Sequence, residues 1–235
     1  MFFYYNPILI AAAVLPAIAL LIFVYREDRM EKEPWPLLLS LLAQGIISTS
    51  LAVFAERLGS KLLGGMLPAN TMVYQVIFNF IVVGLSEEGF KYLLLKRRTW
   101  FSPAFNCQFD GVVYAVFVSL GFALWENIDY VVMYGFSTAL VRAVTAVPGH
   151  ACFGVFMGAW YGLAKRYENY GYPDKSRRCR TLAVLLPTLL HGAYDLIATL
   201  EHSALSWGFA GFILALFAAA LYAVKKLSRE DRFIG

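Results

Sequence analysis

Apolar residues in this chain come in long unbroken runs, with neither the three-to-four spacing of an amphipathic helix nor the alternation of a half-buried strand. Runs of about 20 such residues are long enough to cross a bilayer as helices. They cover 6–25, 37–56, 71–95, 109–134, 139–166, 181–200 and 205–227. Charged or Gly/Pro-rich breaks separate them; the weakest break, "GFST" at 135–138, carries no charge. The pattern predicts an all-α integral membrane protein, a bundle of about seven transmembrane helices making one polytopic domain over 1–235. Lipid permits only helices or closed barrels, and nothing alternates with period two, so no sheet is expected.

Composition agrees. Of the 235 residues, 60% are hydrophobic and 15% charged, against about 45–50% and about 25% in a soluble domain. One soluble core of this size could not bury the excess. Cys107, Cys152 and Cys179 form no CxxC pair and no even framework, which argues against a disulfide scaffold or a thiolate zinc site. No internal repeat or flexible linker is apparent.

Charge sets the expected orientation. Sixteen of the 20 Lys and Arg residues fall in the loop 26–36, the loop after the third span, the 165–180 region and the carboxyl tail. Only Arg57 and Lys61 fall on the other side. The positive-inside rule then places the amino terminus outside and the carboxyl tail in the cytoplasm of a multi-pass cell-membrane protein. The net charge of +4 reports this topology, and no nucleic-acid partner is expected. The first charge is Arg26, with no basic region ahead of the first run, so no cleavable signal peptide is expected.

The candidate chemistry lies in the polar groups that interrupt the runs. Each ionised group inside a span costs about 2.5–3.5 kcal/mol on insertion scales. "GLSEEGFKYLLLK" nevertheless holds Glu87, Glu88 and Lys91 within five residues. Lys91 lies four and three positions from the two glutamates, on their helix face. One ion pair would account for one glutamate and leave the other, and two adjacent carboxylates have their titrations pushed apart, which suits acid–base work. Lys91 is accordingly expected to tune the pair as well as neutralise it. In "LLHGAYDLI", His191 and Asp195 are four apart and can touch, an arrangement that fixes the imidazole tautomer. Glu126 and Asn127 in "GFALWEN" have no same-face basic partner in sequence, and Arg142 is the other cation inside a span. His150 follows Pro148 and Gly149, which are expected to loosen its helix. Asp110 and Asp129 lie near span ends, where water is expected to reach them.

HExxH and GxSxG are absent, and no buried serine lies at helical spacing from either histidine. Two schemes remain. A glutamate activates water directly, with histidine and a neighbouring acid or amide near the oxyanion. Or Glu126, His150 and His191 hold zinc and leave one position for water. A transporter, a channel or a non-catalytic scaffold would use the same residue types, although a transporter predicts broken helices in symmetric halves, which the sequence does not show.

Five segments in order resemble the PrsW family of intramembrane proteases. "SEEGFKYLLL" is similar to its EExxK segment, and "FDGVVYAVFVSLGFALWEN" to its DG-[IV]-V-Y and FxxxEN segments. "LVRAVTAVPGHACFGVFMG" resembles its Arg-to-His helix, and "LLPTLLHGAYDLI" its HxxxD helix. "REDRMEKEPWP" resembles its D-x-x-x-x-E-P turn through Asp28, Glu33 and Pro34. The resemblance runs from about residue 26 to 200 and implies a glutamic-type protease related to the CAAX prenyl protease superfamily. It implies a single-span, anti-sigma-factor-like substrate in the lipid bilayer, receiving its first cut. By position, Glu87, Glu88, Glu126, His150, His191 and Asp195 are the implied catalytic residues, with Lys91, Asn127 and Arg142 in support. The prenyl protease branch carries histidine where this chain has Glu126, so CAAX processing is not expected. Some classifications treat the family as metallopeptidases. The metal-free scheme is favoured here, with Zn2+ on Glu126, His150 and His191 as the alternative.

Depth strains this scheme. Counted along the apolar runs, Glu87 lies about 12 Å from the basic end of its span, His191 about 15 Å, and Glu126 and His150 about 24–26 Å. One site requires those boundaries to move.

Overall fold

In lipid, backbone polar groups must be satisfied within their own helix. The computed structural model, which describes residues 7–200 and 207–234, does this with nine α-helices and one π-helical segment among the described residues. They are α1 (Pro7–Glu27), α2 (Trp35–Gly64), α3 (Met72–Ile77), the π segment (Phe78–Gly84), α4 (Leu85–Thr99), α5 (Asp110–Tyr134), α6 (Phe136–Val144), α7 (Ala146–Asn169), α8 (Pro173–Leu200) and α9 (Trp207–Arg229). Six helical stretches are long and apolar enough to cross a membrane. The seventh predicted span is the continuous helical path from Met72 to Thr99 through the π segment. No strand forms among the described residues; Cys107 and Phe233 make an isolated bridge. Residue 6 and residues 205–206 of the predicted spans lie outside the described residues.

Three boundaries differ from the sequence reading, one of them the start of α8, at Pro173 rather than 181. Helix α2 runs on to Gly64, so Arg57 and Lys61 are helical rather than in a loop. The predicted span 139–166 is two helices. Gly135 turns the chain with φ 85°, α6 follows, and Thr145 (φ −121°, ψ −73°) breaks it before α7. Pro148 therefore sits in the first turn of α7, where its missing N–H costs nothing. The break in the predicted span lies at Thr145, five residues before His150, and Pro148 does not loosen the helix.

Helix α5 is the axis of the bundle. From Asp110 to Ala123 every residue is buried, against α7, α2 and α1. Lipid tails are as apolar as leucine, so helix association depends on close packing of small residues. A Cβ added at Gly158 of α7 would fall 2.4 Å from the carbonyl oxygen of Gly111 and from Cα of Val112 on α5. Gly158→Leu is therefore expected to separate α5 from α7 and to sharply lower the yield of monodisperse protein on size-exclusion chromatography, since overpacking costs about 1–3 kcal/mol or more. A second close approach places α8 on the π segment: a Cβ at Gly192 would meet the Phe80 ring at 2.6 Å. This sets His191 beside the first turn of α4.

At the basic end, carboxylates tie loops to helix starts. Asp110, expected to be wet, is fully buried and accepts hydrogen bonds from the backbone N–H groups of Asn106 (3.0 Å) and Cys107 (2.7 Å). The sequence could not show that the loop 100–109 folds back over it. Asp129 is exposed, as expected. Asp28 and Glu33 are buried, and the Tyr114 hydroxyl donates to Glu33. Burial pushes Glu33 up to about 7, against the Tyr114 hydrogen bond, and Asp28 up to about 6, against nearby Lys32. For both acids the folded state holds a proton that the unfolded chain releases. Their contribution is full below about pH 4 and is lost as pH rises toward about 7. Thermal unfolding of the parent should show stability falling across that window, and Glu33→Gln should flatten the slope. An unchanged slope in the variant would refute this assignment.

Candidate active site

Four elements deliver the polar groups to one place. The first turn of α4 supplies Glu87 and Glu88 and, one turn on, Lys91; α5 supplies Glu126 and Asn127; the start of α7 supplies His150; and α8 supplies His191 and Asp195. The depth conflict narrows, from a spread of about 14 Å to about 10 Å, because the helices extend beyond their apolar runs. Counted from the observed basic ends, at Thr99, Asp110, Asn169 and Pro173, Glu87 lies about 18 Å in, Glu126 about 24 Å, and His150 and His191 about 27–28 Å. Helix tilt and side-chain length cover the remainder.

Lys91 is the centre of the group. Its Nζ donates to Glu88 at 2.7 Å and Glu87 at 3.2 Å, lies 3.2 Å from Nδ1 of His150, and sits 3.8 Å above the Phe122 ring. An ammonium can only donate, so Nδ1 of His150 accepts and the proton of the neutral ring sits on Nε2. That nitrogen faces Glu126 at 2.9 Å. Glu126 also accepts from Arg142 at 2.8 Å, and Arg142 donates to Asn127 at 2.9 Å. Asn127 in turn donates to the carbonyl of Ala13. Arg142, on α6, is thus the basic partner of Glu126 and Asn127 that their own helix lacks.

His191 bridges two acids, with Nδ1 3.0 Å from Glu88 and Nε2 3.4 Å from Asp195. Its ring stacks on Phe153 with centroids 4.8 Å apart, which holds it at this angle. Glu87 and Glu88 differ in access. Glu88 is sealed from solvent, whereas Glu87 lines a cavity of about 620 Å3 shared with Glu126, His150, His191 and Asp195.

All six expected catalytic residues and all three supporting ones thus belong to one connected network. Two cavity-lining groups were missed. Glu56 fell at the edge of a span assigned only 20 residues, next to Arg57, which was read as loop. Asn79 was lost within an apolar run, although its side chain is 4% exposed and lies on the π segment, a helical irregularity that occurs frequently at functional sites.

The donor set suits a metal by type. Glu87, Glu88, His150 and His191 each offer a ligand atom, all within 4.8 Å of one another, and carboxylate oxygen with imidazole nitrogen are zinc donors. Glu126, expected as a ligand beside the two histidines, is not in that group. Its Oε2 is held by Arg142 and by the far nitrogen of His150.

A bundle of membrane-spanning helices with a buried acid–base network opening on a cavity defines a class, that of integral-membrane proteins able to carry out proton chemistry inside the bilayer. A family model described as "PrsW family intramembrane metalloprotease" matches residues 33–224. The chain is 32% identical over 224 residues to Protease PrsW of Oceanobacillus iheyensis, covering 94% of this chain and 97% of that one. It is 35% identical over 222 residues to Protease PrsW of Geobacillus kaustophilus, covering 93% and 91%. Against Protease PrsW of Bacillus subtilis it is 34% identical over 192 residues, covering 81% and 83%. No solved structure matches the chain. The chain belongs to the PrsW family of intramembrane proteases and is a peptidase. Transport and scaffolding, the alternative readings of the same residues, are set aside.

Proposed function

We propose that this protease is of the glutamic type, with Glu87 as general base, and that it makes the first cut in a single-span, anti-sigma-factor-like substrate. The observation that carries the reading is Lys91. Its ammonium lies among the oxygen and nitrogen atoms that a metal would need, and supplies the positive charge there. Glu87, the member of the pair that reaches the cavity, takes a proton from water as the water oxygen bonds to the scissile carbonyl carbon. It returns that proton to the amide nitrogen as the C–N bond breaks. Glu88 and Asp195 hold His191 in place, and Arg142 with Glu126 fixes His150. Arg142, which lines the same cavity, is the cation available to the developing oxyanion.

The convergence of Glu87, Glu88, His150 and His191 favours a second reading, in which these four hold zinc after Lys91 withdraws. A bound zinc would acidify water and polarise the scissile carbonyl. Elemental analysis of the purified protein, followed by cleavage assays after a strong chelator, separates the two. The glutamic reading expects little zinc and surviving activity. One zinc per chain, with activity lost on chelation and restored by zinc alone, would overturn it.

In the proposed orientation the amino terminus faces outward and the carboxyl tail the cytoplasm of the cell membrane, by the distribution of basic residues. A reporter fused at Leu67, between α2 and α3, should read extracytoplasmic. A cytoplasmic signal there would reverse the orientation.

A further inference from the structure

The cavity wall carries more carboxylates than cations to match them. Glu87 has Lys91, Glu126 has Arg142 and His150, and Asp195 has His191. Glu56, on the wall formed by α2, has neither an ion pair nor a hydrogen bond among the described residues; it interacts electrostatically, at longer range, with Glu126, His191, Lys91 and Asp195. Arg57 follows it directly and also lines the cavity, as does the exposed Asp129, but Glu56 and Arg57 form no ion pair. An uncompensated carboxylate in a membrane-embedded cavity is costly unless a cation reaches it. The same cavity is lined by Phe78, Met133 and Tyr134, apolar surface along which the stem of a Lys or Arg can lie, while the Tyr130 ring already carries Arg142 at 4.0 Å.

We infer that Glu56 is a specificity residue that binds a Lys or Arg side chain of the substrate near the scissile bond. Glu56 lies about 32 Å along α2 from the basic end, against about 18 Å for Glu87 along α4. The difference of about 14 Å corresponds to about four residues of extended peptide. The basic residue therefore falls within about four positions of the cut, on the side toward the Gly64 end of α2. The inference rests on the proposed reading that water is activated at Glu87 in this cavity.

The test uses the full-length protein in proteoliposomes with a library of single-span peptides whose juxtamembrane segment is randomised, products being sequenced by mass spectrometry. The parent should enrich Lys or Arg at one position within four residues of the cut, by about tenfold over Ala, as for a charge-assisted hydrogen bond. Glu56→Gln should reduce the Lys-to-Ala ratio to about twofold or less, and Glu56→Lys should shift the preference to Glu or Asp. Both are ratios between substrates, so partial loss of folded enzyme does not mimic them. Absence of basic enrichment in the parent overturns the inference without any variant. So does an enrichment that both Glu56 variants retain. A Glu56-dependent preference that persists in an active Glu87→Gln enzyme would instead remove Glu87 as base and leave the subsite standing.

Discussion

Glu87→Gln is expected to lower the cleavage rate of a single-span peptide by about 10³-fold or more while leaving the protein folded. A positioned general base contributes about 10²–10⁴-fold, and glutamine keeps the size and the acceptor oxygen of glutamate while losing its basicity. Folding should survive because Lys91 retains Glu88 at 2.7 Å and the new amide oxygen still accepts from it. The same change at Glu88 should behave differently. Glu88 is sealed from solvent and holds both Lys91 and His191, so Glu88→Gln should lower folded yield along with activity. Rates in proteoliposomes, normalised to monodisperse protein, distinguish the two. A Glu87→Gln enzyme within tenfold of the parent would remove Glu87 as the base.

Lys91→Met should be among the most destabilising single changes in the chain. Lys91 is fully buried and neutralises Glu87 and Glu88 together. Breaking a buried ionic group by removing one partner costs about 3–5 kcal/mol, because the remaining charge has no compensation. The sequence reading expected Lys91 mainly to tune the glutamates. Its additional contact with His150 and its position over Phe122 make it structural as well. Loss of folded yield is therefore expected before any shift in the pH–rate profile can be measured, while Lys91→Arg, which keeps the charge, should fold. A Lys91→Met protein that accumulates and unfolds like the parent would show that the cluster carries less charge than its geometry implies.

Much of this arrangement is legible in the sequence because lipid makes hydropathy a direct readout of spanning segments and makes each buried charge conspicuous. Glu87, Glu88, Lys91, His191 and Asp195 pair within their own helices, at spacings of three and four, so their contacts can be read from the chain. The contacts of Glu126 with Arg142, and of His150 with Lys91, join different helices and have no signature in spacing. Asp110 is buried for a different reason: its partners lie only three and four residues back, in a loop whose folding over the helix start hydropathy does not report. Glu56 was hidden by a length assumption: a run of 20 residues suffices to cross a bilayer, and α2 has 30. Part of the apparent spread in depth had the same origin, because apolar runs end before helices do.

The π segment between α3 and α4 amounts to one extra residue spliced into an otherwise continuous helix. Each residue of an α-helix turns the chain by about 100°, so the splice sets two angular phases, one for each half of the same rod. The half after it aims Glu88 at His191 of α8 and Lys91 at His150 of α7, while the π segment itself turns Asn79 and Phe78 toward the cavity. Excising a single residue from Phe78–Gly84 would let the rod close into regular α-helix and swing the earlier half by about 100°, with the acid–base half still held to α8 through Glu88 and His191. The cavity would then lose its α3-side wall without the loss of any ionisable group. A one-residue deletion here is a cleaner way to separate substrate admission from proton chemistry than any substitution within the cluster.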